Sequence, residues 1–171
     1  MYTLQENEKT TPVVAYTENS FIYGDLVTTK VVRVNIWLRT DSAPKYLHLL
    51  HAQVSRMSGS VKTLKFEEIF FPVNDLIGFH LAPGVESPLD YEEGEANRRM
   101  LPVQALVGAF TIRASARIST QTEFKTALEV SRSSWFSLYD ATISSPYLPQ
   151  MKMQVPMLIV RPEHAAFSLM E

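Results

Sequence analysis

Two histidines three residues apart, His48 and His51, are the nearest approach to a metal-binding spacing in this sequence. That spacing chelates on a helix, whereas on a strand residues three apart point to opposite faces. The surrounding Tyr46-Leu47-His48-Leu49-Leu50-His51 reads as strand, so no metal site is assigned. The chain has no cysteine, which removes disulfides, thiolate zinc sites, iron–sulfur clusters and cysteine nucleophiles together. It also lacks a G-x-S-x-G elbow, a glycine-rich phosphate loop, an H-E-x-x-H and a D-x-D cluster. The acid pairs Glu67-Glu68 and Glu92-Glu93 are neighbours in sequence and do not aim at one substrate. No catalytic residue and no cofactor is therefore expected. What remains is basic and aromatic: Lys30, Arg33, Trp37, Arg39 and Lys45 crowd into one stretch, and such groups can contact phosphates and stack on the bases of RNA. The field around them is weak, with seven Lys or Arg against six Asp or Glu between Val13 and Val85 and a net charge of −2 for the whole chain.

The elements that must position these groups recur. Across the 171 residues, segments reappear at a spacing close to 89, the mark of an internal duplication. Val14 and Phe21 match Val103 and Phe110, and Tyr46 to Ser55 match Trp135 to Ser144. Phe70 to Val73 match Met157 to Val160 at spacing 87, and Phe79 and Leu81 match Phe167 and Leu169 at spacing 88. The expected organisation is a flexible N-terminal arm over 1–12, a first repeat over 13–85, an acidic linker over 86–100 and a second repeat over 101–171. The linker stretch ESPLDYEEGEAN carries five acidic residues and no basic one, as an exposed connection would. Repeats of about 70 residues are marginal alone, so the two are expected to pack together. The first residues lack a basic and apolar leader, and no run reaches about 18 apolar residues. The expected location is cytoplasmic, with no membrane insertion.

Within the second repeat Phe110, Ile112, Ala114, Ala116 and Ile118 alternate with polar residues, as in a half-buried strand. Met151 to Ile159 alternate in the same way, with Pro156 suggesting an edge or bulge. The methionines of that run are read as core fillers. Val13 to Thr17, followed by Glu18-Asn19, predicts a hairpin. Val34, Trp37 and Leu38, with Phe124, Ala127 and Leu128 at the corresponding place, keep helical spacing and predict a short helix in each repeat. The fold class that follows is mainly β: two tandem small β-barrel-like repeats, each with one short helix, packed as a pseudo-dimer about a pseudo-twofold.

The hairpin with Gly24, the segment Arg33 to Arg39, Tyr46-Leu47, Ala52-Gln53-Val54 and Phe71-Pro72-Val73-Asn74-Asp75-Leu76-Ile77 together resemble an uncharacterised bacterial family of small tandem-repeat β domains. His51 and Ile36 stand where that pattern has acids, and Asp140 keeps one of them. The same succession is similar to the Sm-like small barrel, a resemblance that implies assembly and RNA binding. Arg113 and Arg117 form an R-x-x-x-R pair, and Asp140 to Ser145 are similar in part to the D-x-S-x-x-G motif of PilZ domains, which implies a cyclic di-GMP site at Arg113, Arg117 and Asp140. Thr142 replaces the serine and Ser145 the glycine, which removes the backbone freedom glycine allows. The functional expectation is a non-enzymatic interaction or assembly protein, with a protein partner or self-association. The alternative is an Sm-like RNA-binding protein using Lys30, Arg33, Trp37, Arg39 and Lys45.

Overall fold

The computed structural model describes residues 2–58 and 60–171. The chain is mainly β. Ten strands run in chain order as β1 (Glu8–Tyr16), β2 (Ser20–Thr29), β3 (Tyr46–Ser58), β4 (Ser60–Pro72), β5 (Gly78–Leu81), β6 (Arg98–Val107), β7 (Phe110–Ser119), β8 (Phe136–Ser145), β9 (Leu148–Val160) and β10 (Ala165–Leu169). Two short helices, α1 (Val34–Trp37) and α2 (Phe124–Val130), connect β2 to β3 and β7 to β8. All pairings are antiparallel, in one sheet ordered β10-β6-β7-β8-β9-β5-β1-β2-β3-β4. Among the described residues no helix is long and apolar enough to cross a membrane.

The first five strands are ordered β5-β1-β2-β3-β4, and the second five follow the same order, β10-β6-β7-β8-β9. Each set carries a bulge in its third strand. There His51 (φ 48°) and Asp140 (φ 49°) take left-handed backbone conformations, where the register shifts against Tyr23/Asp25 and Arg113/Ser115. An extra residue bends the strand and turns its side chain. Gly24 faces the first bulge, and its missing side chain lets Ala52 approach to within 3.3 Å of where a β-carbon would sit.

Four expectations are corrected. The sheet does not close into barrels: closing β4 onto β5 would need the second edge of β5, and that edge is occupied by β9. Nor is the joint pseudo-twofold, because it unites the fifth strand of the first set with the fourth of the second, and a twofold pairs like with like. The strand pairing also moves the sequence match. Val13 and Val103 hold the same place, each directly opposite the residue that faces the bulge, Gly24 or Ala114. The hairpins therefore match at an offset of 90 on both sides of their turns, Glu18-Asn19 and Gly108-Ala109, one residue more than the sequence match at Val14 and Phe21. Phe71 opposite Leu47 corresponds to Val160 opposite Phe136, an offset of 89. Finally, β1 begins at Glu8, so residues 8–12 are strand paired to β2 rather than an arm.

There are two cores, and they share the central strands. Val13 and Ala15 of β1 enter one, with Ile22, Leu26, Leu47, Leu49 and Phe79, while Val14 and Tyr16 enter the other, with Phe110, Ile112, Leu138 and Ile143. A strand covered on both faces needs an unbroken apolar run, which is what Val13-Val14-Ala15-Tyr16 supplies. By contrast β6 alternates, with Leu106 exposed.

Candidate interaction surface

The joint between β5 and β9 is short in backbone and dense in side chains. Gly78 pairs with Val160 and Phe79 with Ile159, and the Arg161 N–H donates to Ile77 O at 2.9 Å. Trp135 and Ile159, from the second set, sit in the first core against Val34, Leu38 and Phe79. Arg161 clamps this contact. Its guanidinium lies 4.3 Å over the Trp135 ring, and it donates to Leu76 O at 2.7 Å and Val73 O at 3.2 Å. In one side chain it combines cation–π attraction with charge-assisted hydrogen bonds to the last turn before β5.

On the opposite face Tyr16 and His80 are buried together, with Oη and Nε2 at 2.7 Å. His80 Nδ1 lies 2.7 Å from Leu81 O, so Nδ1 carries the proton and Nε2 accepts from the tyrosine hydroxyl. Burial pushes His80 down to about 4, against the small upward effect of the Leu81 carbonyl, and burial raises Tyr16 well above its ordinary range. Both are neutral near pH 7. The β6–β7 turn seals the same side: Ala109 N donates to Glu18 O at 2.8 Å. A β-carbon on Gly108 (φ 56°) would collide with the Glu18 backbone.

The segment between the sets is docked. Asp90 accepts from Tyr139 Oη at 2.6 Å and Ser137 Oγ at 2.8 Å, and pairs with Arg39. Burial raises its carboxyl, but the two hydroxyls and Arg39 together outweigh burial and hold it below the usual range. Arg33 and Asn35 donate to Pro88 O, and Arg33 also to Leu89 O. The expected exposed linker is thus tied across both halves over 88–90, while Glu92 to Asn97 stay exposed.

The two ends of the sheet are open. At one end β4 shows Leu64, Phe66 and Phe70 along its length, and Phe70 lies one same-face pair from Tyr46 of β3, with Tyr46 56% and Phe70 58% exposed. At the other, β10 borders a groove of about 650 Å³ whose apolar lining includes Phe124, Leu128, Phe167 and Leu169. Contiguous apolar surface at unpaired sheet edges favours association.

No protein-family model, curated protein or solved structure matches the chain. The arrangement must be read from its own geometry. Of the basic and aromatic set, Arg33 and Arg39 are engaged with the 88–90 segment, and Trp37 Nε1 donates to Ser42 O. Lys30 and Lys45 are exposed. Arg39 also reaches Ser137 Oγ at 2.7 Å, which makes it a tie between the two halves. The second set is dispersed. Arg117 pairs with Glu95 at 2.8 Å and lies over Tyr91, Arg113 is exposed on β7, and Asp140 lines a shallow hollow with Thr142 and Gln154. His48 and His51 go to different carboxylates, Glu68 and Asp25.

The residues that organise the surface, Trp135, Arg161, Asp90, Tyr16 and His80, were not singled out from the sequence. One signal for them is legible there: the doubly covered run Val13–Tyr16 has no counterpart in β6, so the two halves had to differ in what covers them.

Proposed function

We propose that this chain is a non-catalytic assembly protein, built from two fused copies of one small β unit, that acts by adding partners at the ends of its sheet. The observation that carries this reading is the exposure at the β3–β4 end of the sheet, where Tyr46 and Phe70 hold the places that Trp135 and Ile159 hold at the buried joint. The same side-chain positions are buried in one half and open in the other. Arg33 and Arg39 already bond to the 88–90 segment, which commits two of the five residues on which the RNA reading relies.

The test is light scattering across a concentration series, with absorbance followed at 260 and 280 nm in low and high salt. The expected result is a mass above one chain that falls towards one chain in Phe66→Lys/Phe70→Lys, with an unchanged far-ultraviolet spectrum. A single-chain mass at every concentration overturns the reading. Excess 260 nm absorbance that high salt strips away replaces it with nucleic-acid binding.

A further inference from the structure

The joint inside the chain is a template for what the open ends fit. It brings the fifth strand of one set to the fourth strand of another, and the chain leaves one of each unpaired: β10 is a fifth strand and β4 a fourth. A joint of this kind is heterologous, so it can be repeated between chains without limit until a ring closes.

Side chains at both ends are prepared for the same contact. At the joint, Trp135 and Ile159 enter a core formed by Val34, Leu38 and Phe79. At an offset of 89, Tyr46 and Phe70 stand in their places and are, among the described residues of β3 and β4, the most exposed large hydrophobic ones. Receiving them, Phe124, Leu128 and Phe167 of the second set stand where Val34, Leu38 and Phe79 do, and there the groove of about 650 Å³ is open. The outer face agrees. Tyr16 is buried by the joint, and Leu106, which holds its place on β6, is 55% exposed. Along the rest of β4, Lys62, Lys65, Glu67 and Glu68 are exposed charges, which discourage indiscriminate pairing of the whole edge.

We propose that the partner at these ends is a second copy of this chain, docked head to tail, with β10 of one copy pairing with the Phe70–Phe71 end of β4 of the next. Transferring the observed register, Gly78 to Val160 and Phe79 to Ile159, sets Ala166 opposite Phe71 and Phe167 opposite Phe70 of the next copy. Two residues further it sets Leu169 opposite Glu68. Tyr46 and Phe70 fill the groove beneath α2. This inference rests on the assembly reading and names its partner.

Because the chain has no cysteine, engineered thiols report the register directly. Glu68→Cys and Leu169→Cys are made separately, one of them carrying a size tag, then mixed, equilibrated and treated with a short bismaleimide. The expected product is a linked pair containing one of each, with neither variant linking to itself. The double variant should give a ladder of three or more chains, reduced at least tenfold by adding Phe70→Lys. Links between two Glu68→Cys chains would mean like edges pair about a twofold; that overturns the head-to-tail inference while the assembly reading stands. No links, together with a single-chain mass by light scattering, overturns both.

Discussion

Replacing Trp135 with alanine tests whether the two halves are one structure. Trp135 follows α2 in the chain, is 3% exposed, and packs in the first core under the Arg161 guanidinium. A buried tryptophan removes roughly 200 Å² from water, worth about 5 kcal/mol at roughly 25 cal/mol per Å². Truncations of this size cost about 3–5 kcal/mol in practice. The expected loss for Trp135→Ala is therefore about 4 kcal/mol, part of it from Arg161, which loses its ring. With a urea slope of about 2 kcal/mol per molar, the midpoint should fall by about 2 M. Tyr46→Ala is the internal control: it occupies the same place in the first set but is 56% exposed, and should cost under about 1 kcal/mol at low micromolar protein. Urea titration followed by far-ultraviolet circular dichroism reads both. A loss below about 1 kcal/mol for Trp135→Ala, or equal losses for the two variants, would refute the argument that the joint is a shared core.

Three more perturbations bear on the same contacts. His80 titrates near 4 when folded against 6.5 as its ordinary value, so between those pH values the unfolded chain binds more protons and stability falls as pH drops. This contribution reaches about 3 kcal/mol. His80→Gln should flatten the urea midpoint over that window, and an unchanged slope would exclude His80 as its source. Asp90→Ala strands Tyr139, Ser137 and Arg39 and should cost about 2 kcal/mol, measured by thermal unfolding; a shift under 1 °C would show that the 88–90 segment is not a tie. Gly108→Ala meets both a left-handed backbone and the Glu18 carbonyl, whereas Gly84→Ala meets only the backbone conformation (φ 87°) in open space. The first should cost clearly more than the roughly 1 kcal/mol expected of the second, and equal losses would remove the turn contact from the account.

The strand content was legible because alternation at Phe110–Ile118 and Met151–Val155 is a one-strand property, and those apolar side chains face the core of their own set. The short helices were legible for the same reason. Pairing between sets was not, since it depends on which edge β5 meets, and Gly78–Leu81 carries no mark of its partner. Pro156 shows the limit well. The sequence suggested an edge or bulge there; β9 is interior, and Pro156 lies across from the bulge residue Asp140, between the pairs Tyr139–Met157 and Ala141–Val155, while β5 pairs only with Ile159 and Val160. Of the candidate sites, Arg33 and Arg39 could be picked out as clustered charge, whereas their partners Pro88, Leu89 and Asp90 are distant in sequence and lay in a stretch whose acidity suggested exposure.

The joint also puts a clock on synthesis. The strand β5 is complete at Leu81, and the strand that covers its edge ends at Val160, 79 residues later. At roughly 5–20 residues per second, the nascent first half waits on the order of 4–16 s with Phe79 uncovered and no Trp135 against Val34 and Leu38. During that interval the fourth strand of a neighbouring nascent chain competes for the same edge. Chains made on one message are therefore the ones best placed to exchange β9 for β4, and a slow patch of translation over β6 to β8 would raise the yield of such swapped species.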